Sequence, residues 1–368
     1  MMNLTKEELA RYSRHLLLSD IGESGQKKLK AAKVLVIGAG GLGCPVLQYL
    51  AAAGVGKLGV IDMDVLEESN LQRQILYTVQ DVGTNKALAA RKRLLNLNPF
   101  ISIEAYPYAL TTENALDLFR AYDLIVDGTD NFATRYMVND ACVITNKPLV
   151  YGSIFRFEGQ VAVFNYKEGP SYRCLFPEPP APNEVPNCSE VGVLGVLPGI
   201  IGAMQANEAL KIILGLGEVL TGKLLVYNAL NTQSLVLNIN TNHAVITKTK
   251  ELEKEFKTTN YQLFCGMEQA TEIIEISAAD LAKDLANYTI VDVRELWEQP
   301  RYTELAGINI PLPRLLLSAD QIPKNKPVVV ICAKGIRSKI AIQQLQEQLG
   351  YTNLKNLTGG IKNWNALN

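Results

Sequence analysis

This chain has almost no net charge, little histidine, few cysteines and no apolar run long enough to cross a membrane. Its 36 lysines and arginines stand against 37 acidic residues, a formal net charge of -1, so no basic excess draws it to nucleic acid or anionic lipid. The two histidines, His15 and His243, have no partner at metal-ligand spacing, which leaves them packing or surface roles. The longest apolar stretch, Val191 to Ala206, falls short of the roughly 20 residues a spanning helix needs. It carries Pro198 and four glycines and reads as a turn feeding a buried helix. The N-terminal residues Met1 to Glu8 lack the apolar core of a secretory signal, and Thr5 to Glu8 reads as a capping box opening a helix. These absences predict a cytoplasmic protein, and in that compartment the six cysteines are reduced thiols available as nucleophiles or metal ligands.

What is present is enough apolar material for two cores: 48% hydrophobic and 20% charged residues over 368 positions. Apolar runs near 34–37, 58–61, 101–105 and 123–127 alternate with helical patterns near 43–53, 84–97, 112–120 and 131–145, a doubly wound α/β arrangement. After Tyr151 the segments 159–164, 223–227 and 234–239 suit antiparallel pairing. Between them the prolines of Phe176 to Pro186 block helix and inner strand and mark a long loop, a candidate lid. A polar, lysine-rich interval, Thr247 to Asn260, precedes a second α/β pattern with strands at 290–293, 308–310 and 328–331 and a helix from about Ser338 to Leu349. The expected organisation is a domain over 1–250, a linker over 251–270 and a smaller α/β domain over 271–368.

The first strand, Val34 to Ile37, runs into Gly38-Ala-Gly-Gly-Leu-Gly43, and the second, Leu58 to Ile61, ends on Asp62-Met-Asp64. Glycines there let backbone N–H groups and a helix N-terminus approach phosphate, while a strand-end carboxylate holds ribose hydroxyls. Taken alone, this pattern fits an NAD-dependent enzyme as well as it fits ATP. Downstream come Ser69-Asn-Leu-Gln-Arg73, Lys86 at a helix start, and Asp130-Asn131 after a strand. Arginine, lysine and a carboxylate able to hold a metal suit a triphosphate attacked at phosphorus better than a redox dinucleotide. Each residue also has a plain structural role open to it: strand-end acids at Asp62 and Asp64, a solvated Lys86, a helix N-cap at Asp130.

As a set these residues resemble the ThiF/MoeB/HesA family, bacterial relatives of ubiquitin-activating enzymes. The resemblance begins at Arg11-Tyr-Ser-Arg-His and Ile21-Gly-Glu-Ser-Gly-Gln and runs through the glycine turn, 69–73 and 130–131 to Arg173-Cys-Leu-Phe-Pro and Gly192-Val-Leu-Gly195, two thirds of the chain. It implies a Rossmann-like adenylation domain with an antiparallel extension. It implies that Gly38, Gly40, Gly41, Gly43, Asp62 and Asp64 floor an ATP site. Ser69, Asn70, Leu71, Gln72, Arg73, Lys86 and Asn131 would line ribose and phosphates, with Asp130 on Mg2+. Arg14 would reach into the partner subunit's site, which makes the protein a homodimer. The implied reaction is attack by the C-terminal glycine carboxylate of a small ubiquitin-like sulfur carrier protein, ending in Gly-Gly, on the α-phosphate of ATP.

Within that resemblance the cysteines separate. Cys188, after the proline loop, stands where the family carries a cysteine that captures the carrier's activated end. Many family members hold a structural zinc with two C-x-x-C pairs, but this chain has Ser171-Tyr-Arg-Cys174 and Gln262-Leu-Phe-Cys265. One thiolate of each pair is missing, so no zinc is expected, and Cys174 and Cys265 are left as a disulfide candidate if the fold brings them within bonding distance. Cys44 and Cys142 lie on helical segments with apolar neighbours and read as core. Cys332 follows the strand Val328 to Ile331 and opens Cys332-Ala-Lys-Gly-Ile-Arg337-Ser338 before a helix. Backbone N–H groups at a helix start, with Lys334, Gly335, Arg337 and Ser338, form a cradle for a thiolate or persulfide anion.

With Asp292-Val-Arg-Glu295 and Asn309-Ile-Pro-Leu312, that loop resembles a rhodanese domain over the last hundred residues. The spacing from Cys332 to Arg337 is one residue shorter than in related phosphatases, which favours sulfur over phosphate. Thr303 to Gly307 departs from the Gly-His-Ile-Pro-Gly stretch common in rhodaneses. The combined expectation is adenylation of the carrier followed by sulfur delivery from a Cys332 persulfide, fed by a sulfur donor protein or small persulfide, for molybdopterin, thiamine or a related cofactor. The alternative is an adenylating enzyme for another acceptor, its C-terminal domain an interaction module.

Overall fold

A computed structural model of the chain describes residues 3–180, 192–265 and 273–365. The chain divides into two compact units, Met1–Gly266 and Met267–Asn368.

In the first unit the strands are β1 (Lys33–Ile37), β2 (Lys57–Ile61), β3 (Ser102–Tyr106), β4 (Leu124–Asp127), β5 (Leu149–Phe155), β6 (Glu158–Phe164), β7 (Lys223–Asn228) and β8 (Gln233–Asn238). They form one sheet in the order β3-β2-β1-β4-β5-β6-β7-β8. β3 to β5 pair in parallel, and β6, β7 and β8 add antiparallel to that edge. Parallel strands covered on both faces read as unbroken apolar runs, yet the period of two persists in their packing. Val34, Val36, Leu58, Val60 and Val126 enter one core, and Leu35, Ile37, Ile125, Leu149 and Tyr151 enter the other.

Four helices matter for the site: α1 (Gly43–Ala53), α2 (Lys86–Leu97), α3 (Phe132–Thr145) and α4 (Leu197–Leu214). α1 ends on Gly54 in the left-handed conformation. Asn85 caps α2 by accepting the Ala87 and Leu88 N–H groups. α4 grows out of the apolar stretch with Pro198 in its first turn, as its composition predicts. Its Gln205, fully buried, donates Nε2 to the Asp127 carbonyl at 2.7 Å, tying α4 across the end of β4.

The interval that reads as a polar connector folds onto this unit. The helix His243–Glu251 and the turns after it carry Phe256 and Tyr261 into the second core of the sheet. The lysines face outward while the two aromatics supply the anchoring. β5, built from Leu149–Phe155, is a strand that the sequence pattern does not single out.

In the second unit, β9 (Ile274–Ile276), β10 (Thr289–Asp292), β11 (Ile308–Asn309), β12 (Val328–Ile331) and β13 (Leu354–Leu357) form an all-parallel sheet in the order β11-β10-β12-β13-β9. Helix α5 (Ile336–Leu349) starts directly after the Cys332 loop, with Gly335 in the left-handed conformation at its N-cap. β9 and β13, both short, go unmarked in the sequence pattern. No helix among the described residues is long and apolar enough to cross a membrane.

Candidate functional site

In the first unit the glycine turn lies at the carboxyl end of β1, from which the parallel sheet grows outward on both sides, through β2 to β3 and through β4 to β5. Doubly wound sheets bind ligands at such a switch point. Gly38 has φ +87 and donates its N–H to the Ile61 carbonyl at 2.9 Å. A Cβ at Gly43 would run into the Gly38 carbonyl oxygen, so the turn closes on itself only with glycine at both ends. Gly40 and Gly41 border the open side: the nearest atoms to a Cβ at Gly41 would be Pro198 Cβ at 3.1 Å and, further off, Arg73 Cγ at 3.7 Å.

Asp62 accepts the Ala39 N–H at 2.8 Å and the Asp64 N–H at 2.8 Å. Its carboxyl is held above its usual value because burial outweighs those bonds and the nearby Lys86 charge. Lys86, 7% exposed, pairs with Asp64 at 2.8 Å. The Asn85 side chain donates to the Asp62 and Asp64 carbonyls at 3.0 and 3.2 Å. Tyr77 reaches between the Ala39 carbonyl (2.9 Å) and the Lys86 carbonyl (3.1 Å), stapling the glycine turn to α2. Neither Asn85 nor Tyr77 stands out in the sequence; Asn85 before an apolar-periodic run is the signal available for it.

Residues 69–73 form a tight turn. Asn70 accepts the Glu67 N–H at 3.1 Å and Arg73 donates to the Ser69 carbonyl at 3.2 Å. Leu71 packs against the first core, and Gln72 lies against Gly195, where a Cβ would strike its side chain. Asp130 is exposed in the turn after β4. Beside it, Gly128 backs onto the glycine turn: a Cβ at Gly38 would stand 3.0 Å from the Gly128 carbonyl. The helix cap belongs to Asn131, whose side chain accepts the Thr134 N–H at 2.9 Å, so the capping alternative for Asp130 is corrected to its neighbour. Beneath this turn lie two buried charges that the sequence reading passes over, Asp127 and Arg135. Thr129 donates to Asp127 from its N–H (2.8 Å) and hydroxyl (2.7 Å), and Arg135 donates to the Thr129 carbonyl at 3.1 Å. Arg14 is exposed on the short helix Ser13–Leu16.

Cys188 lies outside the described residues. Cys44 and Cys142 are fully buried, and burial pushes the Cys44 thiol up to about 12. Cys174 and Cys265 are both free, which corrects the disulfide candidate. Cys174 Sγ takes the Ser171 and Asn242 N–H groups, each at 3.4 Å. The segments holding them are joined through Asp140 on α3. Arg173 donates twice to that carboxylate at 2.7 Å, and the Tyr261 hydroxyl donates at 2.8 Å. The Arg173 guanidinium also lies over the Phe264 ring, 4.7 Å from its centroid. A hydroxyl and an amide in place of two thiolates do not match a tetrahedral four-thiolate zinc site. Among the described residues no group of three acidic, histidine or cysteine side chains is placed to hold a metal ion.

In the second unit Cys332, 1% exposed, directly follows β12, the central strand of the sheet. Its sulfur accepts the Gly335 N–H at 3.1 Å and lies 3.3 Å from the Ser338 hydroxyl. The loop is shaped by the turn after β13. Ile361 N–H donates to the Cys332 carbonyl (2.9 Å) and Lys362 N–H to the Ala333 carbonyl (3.1 Å). A Cβ at Gly360 would strike the Cys332 carbonyl. Lys334 belongs to this loop. Arg337 is held in a two-pronged pair with Glu298, at 2.7 and 2.6 Å. Asp292, at the tip of β10, is tied to the fully buried Arg294 at 2.8 Å. Glu298, from a segment with no sequence motif beyond Asp292–Glu295, is the charged neighbour that sequence reasoning misses.

A glycine turn at a switch point, with Arg73 beside Gly41, defines an α/β protein of the kind that binds ligands there, and the Cys332 loop adds a second site. The comparisons are specific. The ThiF family model matches residues 12–247, and the Rhodanese-like domain model matches 277–367. The chain belongs to the ThiF family and carries a C-terminal rhodanese-like domain. It is 53% identical over 272 residues to a Thermus thermophilus protein named sulfur carrier protein adenylyltransferase, covering 72% of this chain and 100% of that one. It is 42% identical over 383 residues to the probable adenylyltransferase/sulfurtransferase MoeZ of Mycobacterium tuberculosis, covering 98% and 94%. Over 380 residues it is 42% identical to the adenylyltransferase and sulfurtransferase MOCS3 of Drosophila grimshawi, covering 98% and 85%. A crystal structure of Escherichia coli MccB superposes with a TM-score of 0.56 at 26% identity, over 65% of this chain and 74% of that one.

Proposed function

We propose that this protein is an adenylyltransferase and sulfurtransferase. It adenylates the C-terminal glycine of a small ubiquitin-like sulfur carrier ending in Gly-Gly, and Cys332, charged as a persulfide, supplies the sulfur that turns this end into a thiocarboxylate. The carrier carboxylate attacks the α-phosphorus of ATP and pyrophosphate leaves, which makes the carbonyl electrophilic. The terminal persulfide sulfur then attacks that carbonyl and AMP leaves; an external thiol reductant releases the thiocarboxylate. Where Cys188 first captures the activated carrier as a thioester, AMP leaves at that step and the persulfide attack expels the Cys188 thiolate instead.

The observation that carries this reading is the presence in one chain of the glycine turn with Arg73 beside Gly41 and of the Cys332 loop. The residues fit ATP: the open side of Gly40 and Gly41 leaves backbone exposed to phosphate, and Asp62 stands at the strand end where ribose binds. Arg73, and Lys86 on release from Asp64, would stabilise charge moving onto pyrophosphate. Asp130 suits Mg2+, which is typically held by one or two carboxylates plus substrate phosphates and would neutralise phosphate charge when bound. The same reading assigns Arg14 to the neighbouring subunit's site in a homodimer and places the protein in the cytoplasm. Whether the sulfur goes to molybdopterin, thiamine or another cofactor is set by the carrier.

Carrier-dependent exchange between ATP and pyrophosphate tests the first half. Arg73→Ala and Lys86→Ala each lower the exchange rate by about 10²-fold or more, and absence of exchange with any Gly-Gly carrier overturns this half. Cys332→Ala leaves exchange intact and abolishes thiocarboxylate formation from thiosulfate or a persulfide donor. Unchanged thiocarboxylate formation in that variant overturns the second half.

A further inference from the structure

Behind the Cys332 sulfur runs a chain of side chains from three different elements. The Ser338 hydroxyl, fully buried on α5, lies 3.3 Å from Cys332 Sγ and 2.6 Å from Asn356 Oδ1 on β13. Asn356, also fully buried, donates Nδ2 to Glu275 Oε2 on β9 at 2.9 Å. Glu275 is further held by the Thr358 hydroxyl at 2.9 Å and by Lys339 at 2.6 Å. Burial pulls the Glu275 carboxyl up, but the bonds from Lys339, Asn356 and Thr358 outweigh it and leave the group below its usual value. It is therefore an anion at neutral pH.

The direction of each bond follows from that anion. A carboxylate only accepts, so Asn356 must turn its NH2 toward Glu275; the opposite amide orientation would set two oxygens face to face. Asn356 then offers Ser338 its oxygen. A hydroxyl has a single proton, and the short contact to Asn356 takes it. Apart from the Gly335 N–H it accepts, the sulfur is left beside the Ser338 oxygen lone pairs, a contact that suits a thiol, which can donate, and disfavours a thiolate, which cannot. We infer that Asn356, oriented by Glu275, is a positioning residue that draws the Ser338 proton away from Cys332 and so sets how readily this sulfur ionises. When the sulfur becomes anionic, Ser338 has to turn its proton from Asn356 to the sulfur, so the relay resists ionisation until that exchange is made.

Other charges face the sulfur. Arg337 on α5 is neutralised by Glu298 from the segment after β10, Asp292 on β10 is paired with Arg294 and Arg301, Lys339 is paired with Glu275, and Lys334 belongs to the loop itself. Any of these shifts the sulfur through space, whereas the relay acts through one hydroxyl, and this separates the two in an experiment. The inference rests on Cys332 being the sulfur-carrying residue, but its test reads only the ionisation of the thiol.

The test is the pH profile of iodoacetamide alkylation at Cys332 in the full-length protein, followed by peptide mass spectrometry. Asn356→Leu frees the Ser338 proton for the sulfur and moves the midpoint down by about one pH unit, a roughly tenfold faster reaction below the midpoint. Glu275→Gln, at a half-exposed position, loosens the amide orientation and moves the midpoint the same way by less, without disturbing the core. Both shifts shrink in a Ser338→Ala background. Should Asn356→Leu fold poorly, Glu275→Gln with and without Ser338→Ala carries the same comparison. Shifts of equal size in both backgrounds, or no shift, overturn the inference. Loss of sulfur transfer in Cys332→Ala is read separately, so failure of the relay and failure of the proposed function are distinguishable.

Discussion

At Gly43 the polypeptide crosses its own backbone so closely that even one methyl group has no place. Gly43→Ala drives a Cβ into the Gly38 carbonyl, a backbone atom that cannot swing aside, so the expected cost is about 3 kcal/mol or more, read as a lower urea midpoint, together with lost ATP binding. The Glu298–Arg337 pair makes a prediction in pH. Burial pulls the Glu298 carboxyl up, but hydrogen bonds from Arg337 and the Glu295 N–H and the Arg337 charge outweigh it and hold the group below its usual value. A depressed carboxyl stabilises the fold fully above its unfolded value and loses that contribution as pH falls through the folded value. Glu298→Gln should therefore lower the Tm at pH 7, and the gap to the parent protein should narrow below about pH 4. At this scale the sequence is legible where chemistry is local: the glycine turn, the strand-end acids and the Cys332 loop are each read within a few consecutive residues. Glu298, Asn356 and Glu275 are not legible, because they reach the sulfur's surroundings from 39, 18 and 81 positions away from their partners.

Among elements, the instructive case is the junction of the short helices Tyr172–Leu175 and Tyr261–Phe264 with α3. Their sequence carries half of each C-x-x-C pair, and in their place Asp140 gathers Arg173 and Tyr261 while Arg173 covers Phe264. Asp140→Asn leaves the partly buried Arg173 guanidinium without its anion and should cost about 2 to 3 kcal/mol in chemical denaturation, less than a fully buried pair. Treatment with EDTA should leave the Tm unchanged, whereas Ser171→Cys combined with Gln262→Cys should add a chelator-sensitive increment and one equivalent of zinc. The strands of the doubly wound half are legible because each is a bounded run of Val, Leu and Ile. β9 and β13 are not, since a run of three or four residues with Glu275, Lys355 or Asn356 inside it has no periodicity to read. In the described part, 251–265, of the stretch expected as a linker over 251–270, lysines dominate the composition while Phe256 and Tyr261 pack into the second core.

For the molecule as a whole, the two units own separate cores. Val34, Leu58 and Val126 build one side of the first, and Val291, Val330, Ala341 and Leu354 build the second. A unit of about one hundred residues is large enough to stabilise itself. Residues 267–368 expressed alone should therefore melt cooperatively and take up sulfane sulfur at Cys332, measured by mass spectrometry as a gain of one sulfur; a chain that stays unfolded would refute this independence. The two-unit plan is legible because a second α/β alternation restarts after the polar interval.

The turn after β13 closes the Cys332 loop from behind, through Gly360, Ile361 and Lys362. These residues are synthesised after the cysteine they shape. On the ribosome the thiol therefore emerges in a chain that has no cradle for it, and acquires one only once the last strand and its glycine turn have left the exit tunnel. Until β13 and that turn are in place, the thiol has only the surroundings of an unfolded chain.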